Sequence, residues 1–150
     1  MKQKVKIGIV GLSETAIQKH LPVLLKRFDV EIVGAFDPDI SKFDKANSAL
    51  GTNLKFFNSY QELCFAAEAL VICSPESVHA SQVEIAVVEY GLPVMVEEVF
   101  LTDPDKLSEK YDKIYQSRNF KFLLFYDPSE EGFEHNIPYQ EFVENVINRR

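Results

Sequence analysis

Six short β-rich runs alternate with helix-spaced stretches along the chain, and this alternation constrains the fold more than any other feature. The runs are Lys4–Val10 (KVKIGIV), Val30–Phe36 (VEIVGAF), Leu54–Phe57, Ala69–Cys73 (ALVIC), Pro93–Val96 and Phe120–Tyr126 (FKFLLFY). ALVIC is apolar throughout, as expected of a strand whose sheet is covered by helices on both faces. Short apolar strands lie parallel only when crossover helices carry the chain back between them. The economical architecture is therefore α/β: a doubly wound, mostly parallel six-stranded sheet of Rossmann-like form. With 150 residues, one such domain can bury a substantial core.

The intervening stretches carry their own start and stop signals. Over Thr15–Lys26, residues Ala16, Ile17, Leu21, Leu24 and Leu25 share one broad helical face, and Pro22 predicts a kink or two short helices. Ile40–Leu50 reads as a helix with Asp39 as cap and Gly51 just past its end. Ser59 and Glu62 have capping-box spacing. Val78–Tyr90 is a helix closed by Gly91, and Thr102, with Asp105 three residues on, caps another that runs to about Arg118. After Tyr126 the texture changes, dividing the chain into a Rossmann-like unit at 1–126 and an acidic loop with a C-terminal helix at 127–150. The latter holds six acids and two arginines. In its final helix, Tyr139–Asn148, residues Tyr139, Phe142, Val143, Val146 and Ile147 line one side. That side either folds onto the chain's own sheet or joins a second copy in a homodimer.

Composition excludes several functions. Hydrophobic residues make up 46% and charged residues 26%, ordinary for a soluble globular chain. A net charge of −7 without a basic stripe argues against nucleic acid, whose binders cluster Lys and Arg. The N-terminus reads as a first strand and not as a signal peptide. No apolar run approaches the roughly 20 residues that span a bilayer, so no membrane is expected. Cys64 and Cys73 lie outside any CxxC pattern in apolar surroundings. They read as buried reduced thiols of a cytoplasmic protein, a disulfide or metal role being the alternative.

The turn after the first strand is Gly11-Leu12-Ser13-Glu14-Thr15-Ala16. A dinucleotide loop uses its first glycine for the tight turn, its second for close approach of backbone to pyrophosphate, and a third small residue for helix–strand packing. Gly11 and Ala16 meet the first and third needs, but Ser13 stands at the second. Glu14 stabilises a helix start by itself and repels a pyrophosphate unless it points away. A cofactor loop and a simple capped turn both remain open. Asp37, ending the second strand, suits the two hydroxyls of an adenosine ribose and disfavours a 2′-phosphate, pointing to NAD over NADP. Equally, Asp37-Pro38-Asp39 can be turn and cap chemistry alone.

Five segments together carry a resemblance: KIGIVGLSETAIQKHLP, IVGAFDPD, FFNSYQEL, ALVICSPESVHASQVEIAVVEYGLPVMVEE and FKFLLFYDP. In order and spacing, over about residues 4–128, the chain resembles the Gfo/Idh/MocA oxidoreductases, meaning glucose–fructose oxidoreductase, inositol dehydrogenase and relatives. The resemblance implies an N-terminal domain that binds NAD or NADP for hydride transfer on sugars or polyols. It also implies a second domain for substrate, absent from these 150 residues. Gly11, Ser13 and Ala16 would lie in the cofactor loop, Asp37 at the adenosine ribose, and Ser74 and Pro75 beside the nicotinamide half. His79 matches a family histidine, although a helix-start residue that packs and caps locally is the commoner reading. Glu97 is retained from the family's Glu-Lys-Pro motif, and joins the implied cofactor set.

The departure is at the next two positions, Glu98 for the lysine and Val99 for the proline. A lysine assists proton transfer at the substrate hydroxyl, whereas a carboxylate opposes the alkoxide-like charge that develops there. Glu98 would be a general base if desolvation raised its pKa, and otherwise a solvated surface acid. The domain is therefore expected to be inactive in hydride transfer on its own. The alternative is a non-catalytic descendant, serving as a ligand sensor or protein-interaction module.

Overall fold

The computed structural model describes residues 3–98, 103–117, 123–126 and 137–149. Among these, five parallel strands form one sheet in the order β2-β1-β3-β4-β5. They are β1 (Val5–Val10), β2 (Val30–Phe36), β3 (Ala69–Ile72), β4 (Val94–Glu97) and β5 (Leu123–Tyr126). The chain moves outward from β1 to β2, then returns to the opposite side of β1 for β3. The connections that leave β1 and β3 therefore run to opposite faces of the sheet, and this reversal is where doubly wound sheets open a ligand crevice.

The six-stranded expectation is corrected to five. The segment Leu54–Phe57 makes a single parallel bridge, Ala35 with Phe56, on the outer edge of β2. Ala35 N–H donates to the Lys55 carbonyl at 2.9 Å, and Phe57 N–H donates to the Ala35 carbonyl at 3.0 Å. Leu54 N–H is bound to the Asn47 side chain, and Ser59 already caps the next helix. Between those two anchors there is room for one bridge and no ladder.

Pro22 acts as its chemistry requires. A π-helical turn, Ala16–His20, leads into α1 (Leu21–Leu24), and Leu21 N–H reaches back five residues to the Ala16 carbonyl. The helix α2 (Ser41–Leu50) ends on Gly51 with φ 62°, and Asp39 accepts from both the N–H and the hydroxyl of Ser41 at its start. In α3 (Tyr60–Ala66), Ser59 accepts from Glu62 N–H, half of the expected capping box. The segment expected as one helix over 78–90 is α4 (Glu76–Glu84) continued by a π-helical turn, Ile85–Glu89. Asp103 caps α5 (Pro104–Lys110) by accepting from Lys106 N–H, and α6 (Asp112–Ser117) follows. Thr102, expected in that capping role, lies outside the described residues, as do Val99 and residues 118–122 and 127–136.

Side chains alternate across the sheet into two cores. Val5, Ile7, Ile9, Val71 and Met95 face α1, α2 and α7 (Ile137–Arg149). Leu70, Ile72, Val94 and Val96 face α3, α4, α5 and α6. In α7, Tyr139, Phe142, Val143 and Val146 are buried in the first core, while Ile147 is exposed. These four side chains pack in the core formed with the chain's own sheet. Cys64 and Cys73 are buried free thiols. Among the described residues no helix is long and apolar enough to cross a membrane.

Candidate functional site

The strand ends of β1, β2, β3 and β4 open on a cleft of about 310 Å³. Gly11, at the end of β1, has φ +87°, and a Cβ there would lie 2.6 Å from Ser74 N and 2.7 Å from Ser74 Cα. The loop thus passes against bare backbone at the end of β3, which only glycine allows.

The loop then divides its donors. Leu12 N–H donates to Asp37 Oδ2 at 2.8 Å, and Ala16 N–H donates to the Ser13 hydroxyl at 3.2 Å. The N–H groups of Ser13, Glu14 and Thr15 meet no acceptor among the described residues. Ser13 and Thr15 line the cleft, whereas Glu14 is exposed and stands outside its lining. The repulsion expected from Glu14 is therefore directed at solvent. These donors and hydroxyls suit a phosphate, with the serine in place of a second glycine.

Asp37 is only 3% exposed. Its second oxygen, Oδ1, accepts from Asp39 N–H at 2.8 Å. The turn chemistry weighed from the sequence is present, together with a bond to Leu12 that ties the end of β2 to the first loop. Lys42, one turn into α2, brings Nζ to 3.6 Å from Asp37 Oδ2 and also lines the cleft.

At the end of β3, the Ser74 hydroxyl donates to the Gln82 side-chain carbonyl, and the Ser74 carbonyl accepts from His79 Nε2. A carbonyl can only accept, so Nε2 carries the proton and Nδ1 of the neutral ring is a bare acceptor. That Nδ1 is buried without a partner. Burial holds the His79 pKa below the usual histidine value, against the opposing pull of the Ser74 carbonyl.

Glu98 departs from the solvated surface acid expected. It is 2% exposed. Lys110 Nζ donates to its Oε2 at 2.9 Å, and the Tyr111 hydroxyl donates to the same oxygen at 3.0 Å. Lys110 also approaches Glu76 Oε1 at 3.5 Å. Burial and the Glu98 carboxylate push the Tyr111 phenol upward, so it stays protonated as a donor. Two donors occupy Oε2, so that oxygen is committed to the fold and not open to take a proton from a substrate.

The cleft gathers Gly11, Ser13, Asp37, Ser74, Pro75, His79, Glu97 and Glu98, all singled out from sequence. Ala16 instead is fully buried in the core behind the loop, as a residue for helix–strand packing should be. Sequence reasoning missed Thr15, Lys42, Cys73 and Glu76 in the lining and Lys110 behind it. Lys42 and Glu76 were within reach, since each lies in the first turn of a helix that follows a strand end. Lys110 carried no local signal.

A parallel sheet with a glycine loop, a buried acid and a cleft at the strand-order reversal defines a doubly wound nucleotide-binding domain. The chain belongs to the Gfo/Idh/MocA family: that family's model, described as an oxidoreductase family with an NAD-binding Rossmann fold, matches residues 5–134. No curated protein matches. Among solved structures, a dehydrogenase (MviM) from Clostridium difficile is similar at 24% identity and TM-score 0.62, over 77% of this chain and 37% of that one. An apo scyllo-inositol dehydrogenase from Lactobacillus casei is similar at 22% identity and TM-score 0.62, over 99% and 42%. An oxidoreductase from Thermotoga maritima is similar at 24% identity and TM-score 0.65, over 83% and 38%. These likenesses concern the fold, and this chain spans well under half the length of each.

Proposed function

We propose that this chain is the cofactor-binding unit of a nicotinamide-dependent oxidoreductase, taking NAD in preference to NADP and performing no hydride transfer by itself. The cleft between the ends of β1 and β3 carries the reading, because it combines Gly11, the hydroxyls of Ser13 and Thr15, and Asp37. Ser13, Thr15 and the loop N–H groups would hold the pyrophosphate, and Asp37 the adenosine ribose. Ser74, Pro75, His79 and Glu97 would border the nicotinamide half. The dinucleotide, when bound, supplies the hydride chemistry.

Sugars or polyols are the substrate class that the family membership suggests for a whole enzyme. In this chain the position of the proton-transferring lysine is Glu98, whose charge is matched by Lys110. That pairing also favours a second reading, a ligand-sensing module that keeps the cofactor cleft without catalysis.

Calorimetric titration with NAD+ and NADP+ tests the binding, with NAD+ expected to bind more tightly. Absence of heat and of any thermal shift at millimolar cofactor would overturn it. Turnover of any polyol by this chain would overturn the claim of inactivity.

A further inference from the structure

A second opening lies at the other end of the sheet from the cofactor cleft. It is a groove of about 730 Å³ between the end of α1 and α7, walled by Pro22, Val23, Lys26, Phe28, Gln140 and Glu144. Asp29 also borders it, and its carbonyl accepts from Val5 N–H at 2.9 Å, which fixes the groove at the amino ends of β1 and β2. Phe28 is 88% exposed and Leu25 38% exposed, large apolar side chains that neither core takes. Arg27 holds Asp29 through two hydrogen bonds, Nε to Oδ1 at 2.9 Å and Nη2 to Oδ2 at 2.8 Å. That fork closes the turn that carries Phe28 and cancels both charges within the chain.

Two charges of the groove stay unmatched among the described residues. Lys26 is exposed and meets no carboxylate. Glu144 is exposed, and its carboxylate accepts only from the neutral amide of Gln140, at 3.2 Å. The two line one groove without pairing to each other. A two-fold axis sets residue i of one copy on residue j of the other, and j on i. Under such an axis this groove is complementary to itself: Lys26 can meet Glu144 twice, and each Phe28 ring can enter the other copy's groove. A partner of a single charge sign would satisfy only one of the two charges.

We propose that this face joins two copies of the chain in a symmetric dimer, with Phe28 of each seated in the other's groove and Lys26 of each paired with Glu144 of the other. The side of α7 that carries Tyr139 is buried in the chain's own core, so the dimer uses the helix's outer side. The cofactor cleft opens at the far end of the sheet, so the pairing stands or falls independently of the cofactor reading.

Sedimentation equilibrium of the chain at concentrations up to about 1 mM tests it, and a monomer–dimer equilibrium is expected. Phe28→Ser removes a contact that occurs twice in the dimer and is expected to weaken it at least about tenfold. Lys26→Glu and Glu144→Lys, each alone, are expected to weaken it by about tenfold as well. An equimolar mixture of these two charge variants is expected to regain the dimer, because each supplies the sign that the other lacks. Both variants remain acidic overall, so net attraction does not account for the recovery. All three residues are exposed and outside both cores, so the variants should fold, and thermal unfolding checks this. A monomer at every concentration, a dimer indifferent to any of the three single variants, or a mixture no more associated than its components would overturn the proposal.

Discussion

Lys110 and Glu98, on different elements, meet through Nζ and Oε2 at 2.9 Å, with Glu98 2% exposed and the Lys110 side chain 18% exposed. Replacing one partner of a buried pair leaves the other charge uncompensated, at a cost of about 3 kcal/mol. Glu98→Lys should therefore lower stability by roughly that amount, because two ammonium groups would share one spot and Tyr111 would lose its acceptor. The exchanged double variant, Glu98→Lys with Lys110→Glu, should recover most of the loss in urea unfolding. A single variant as stable as wild type would show that the pair contributes nothing.

Two glycines with positive φ should respond very differently to alanine. Gly51, at φ +62°, has open space around the added carbon, so Gly51→Ala pays only for the left-handed backbone, about 1 kcal/mol. Gly11, at φ +87°, meets the Ser74 backbone at 2.6 Å. Gly11→Ala should cost at least about 3 kcal/mol or prevent folding, since neither backbone can yield. Thermal melting of both variants checks the contrast.

Asp37 should matter to stability before any ligand is present. Asp37→Ala strands the buried N–H of Leu12, and an unsatisfied buried donor costs about 1–3 kcal/mol, whereas the N–H of exposed Asp39 turns to water. Asp37→Asn keeps one acceptor but turns an amide NH₂ toward one of the two donors, so it should recover only part. Denaturant unfolding of the two variants without cofactor measures this, and an unchanged midpoint for Asp37→Ala would refute it.

His20 gives stability an acid dependence. It is fully buried between Tyr126 and Tyr139, whose hydroxyls lie 2.7 Å from Nε2 and 2.9 Å from Nδ1. Burial, aided by nearby Lys19, lowers its pKa to about 3 from an ordinary 6.5. Between those values the unfolded chain binds a proton that the folded chain does not, so the folded state loses stability as pH falls. The slope is about 1.4 kcal/mol per pH unit, beginning below pH 6.5. Replacing His20 with glutamine should flatten this slope, read from unfolding midpoints at successive pH values.

Much of the fold was legible because each element announces itself locally. Ser59 three residues before Glu62, Gly51 after an amphipathic decade, Pro22 inside a helix and the apolar run at Ala69–Ile72 each act within a few residues. The bridge at Phe56 was overread as a strand, because ladder length depends on how much edge β2 offers and not on local propensity. At the site, the residue set around the cleft was legible because doubly wound sheets always direct strand ends to one edge. The partners of those residues were not.

The chain's own order of runs, turns and caps determined the class of sheet, the glycine loop after β1 and the acid after β2. Only tertiary structure decided what those groups touch. Leu12 meets Asp37 across 25 positions, and Lys110 meets Glu98 from a separate helix. Periodicity and capping act over a turn or two of chain, whereas charge compensation acts through space, between segments that packing alone brings together.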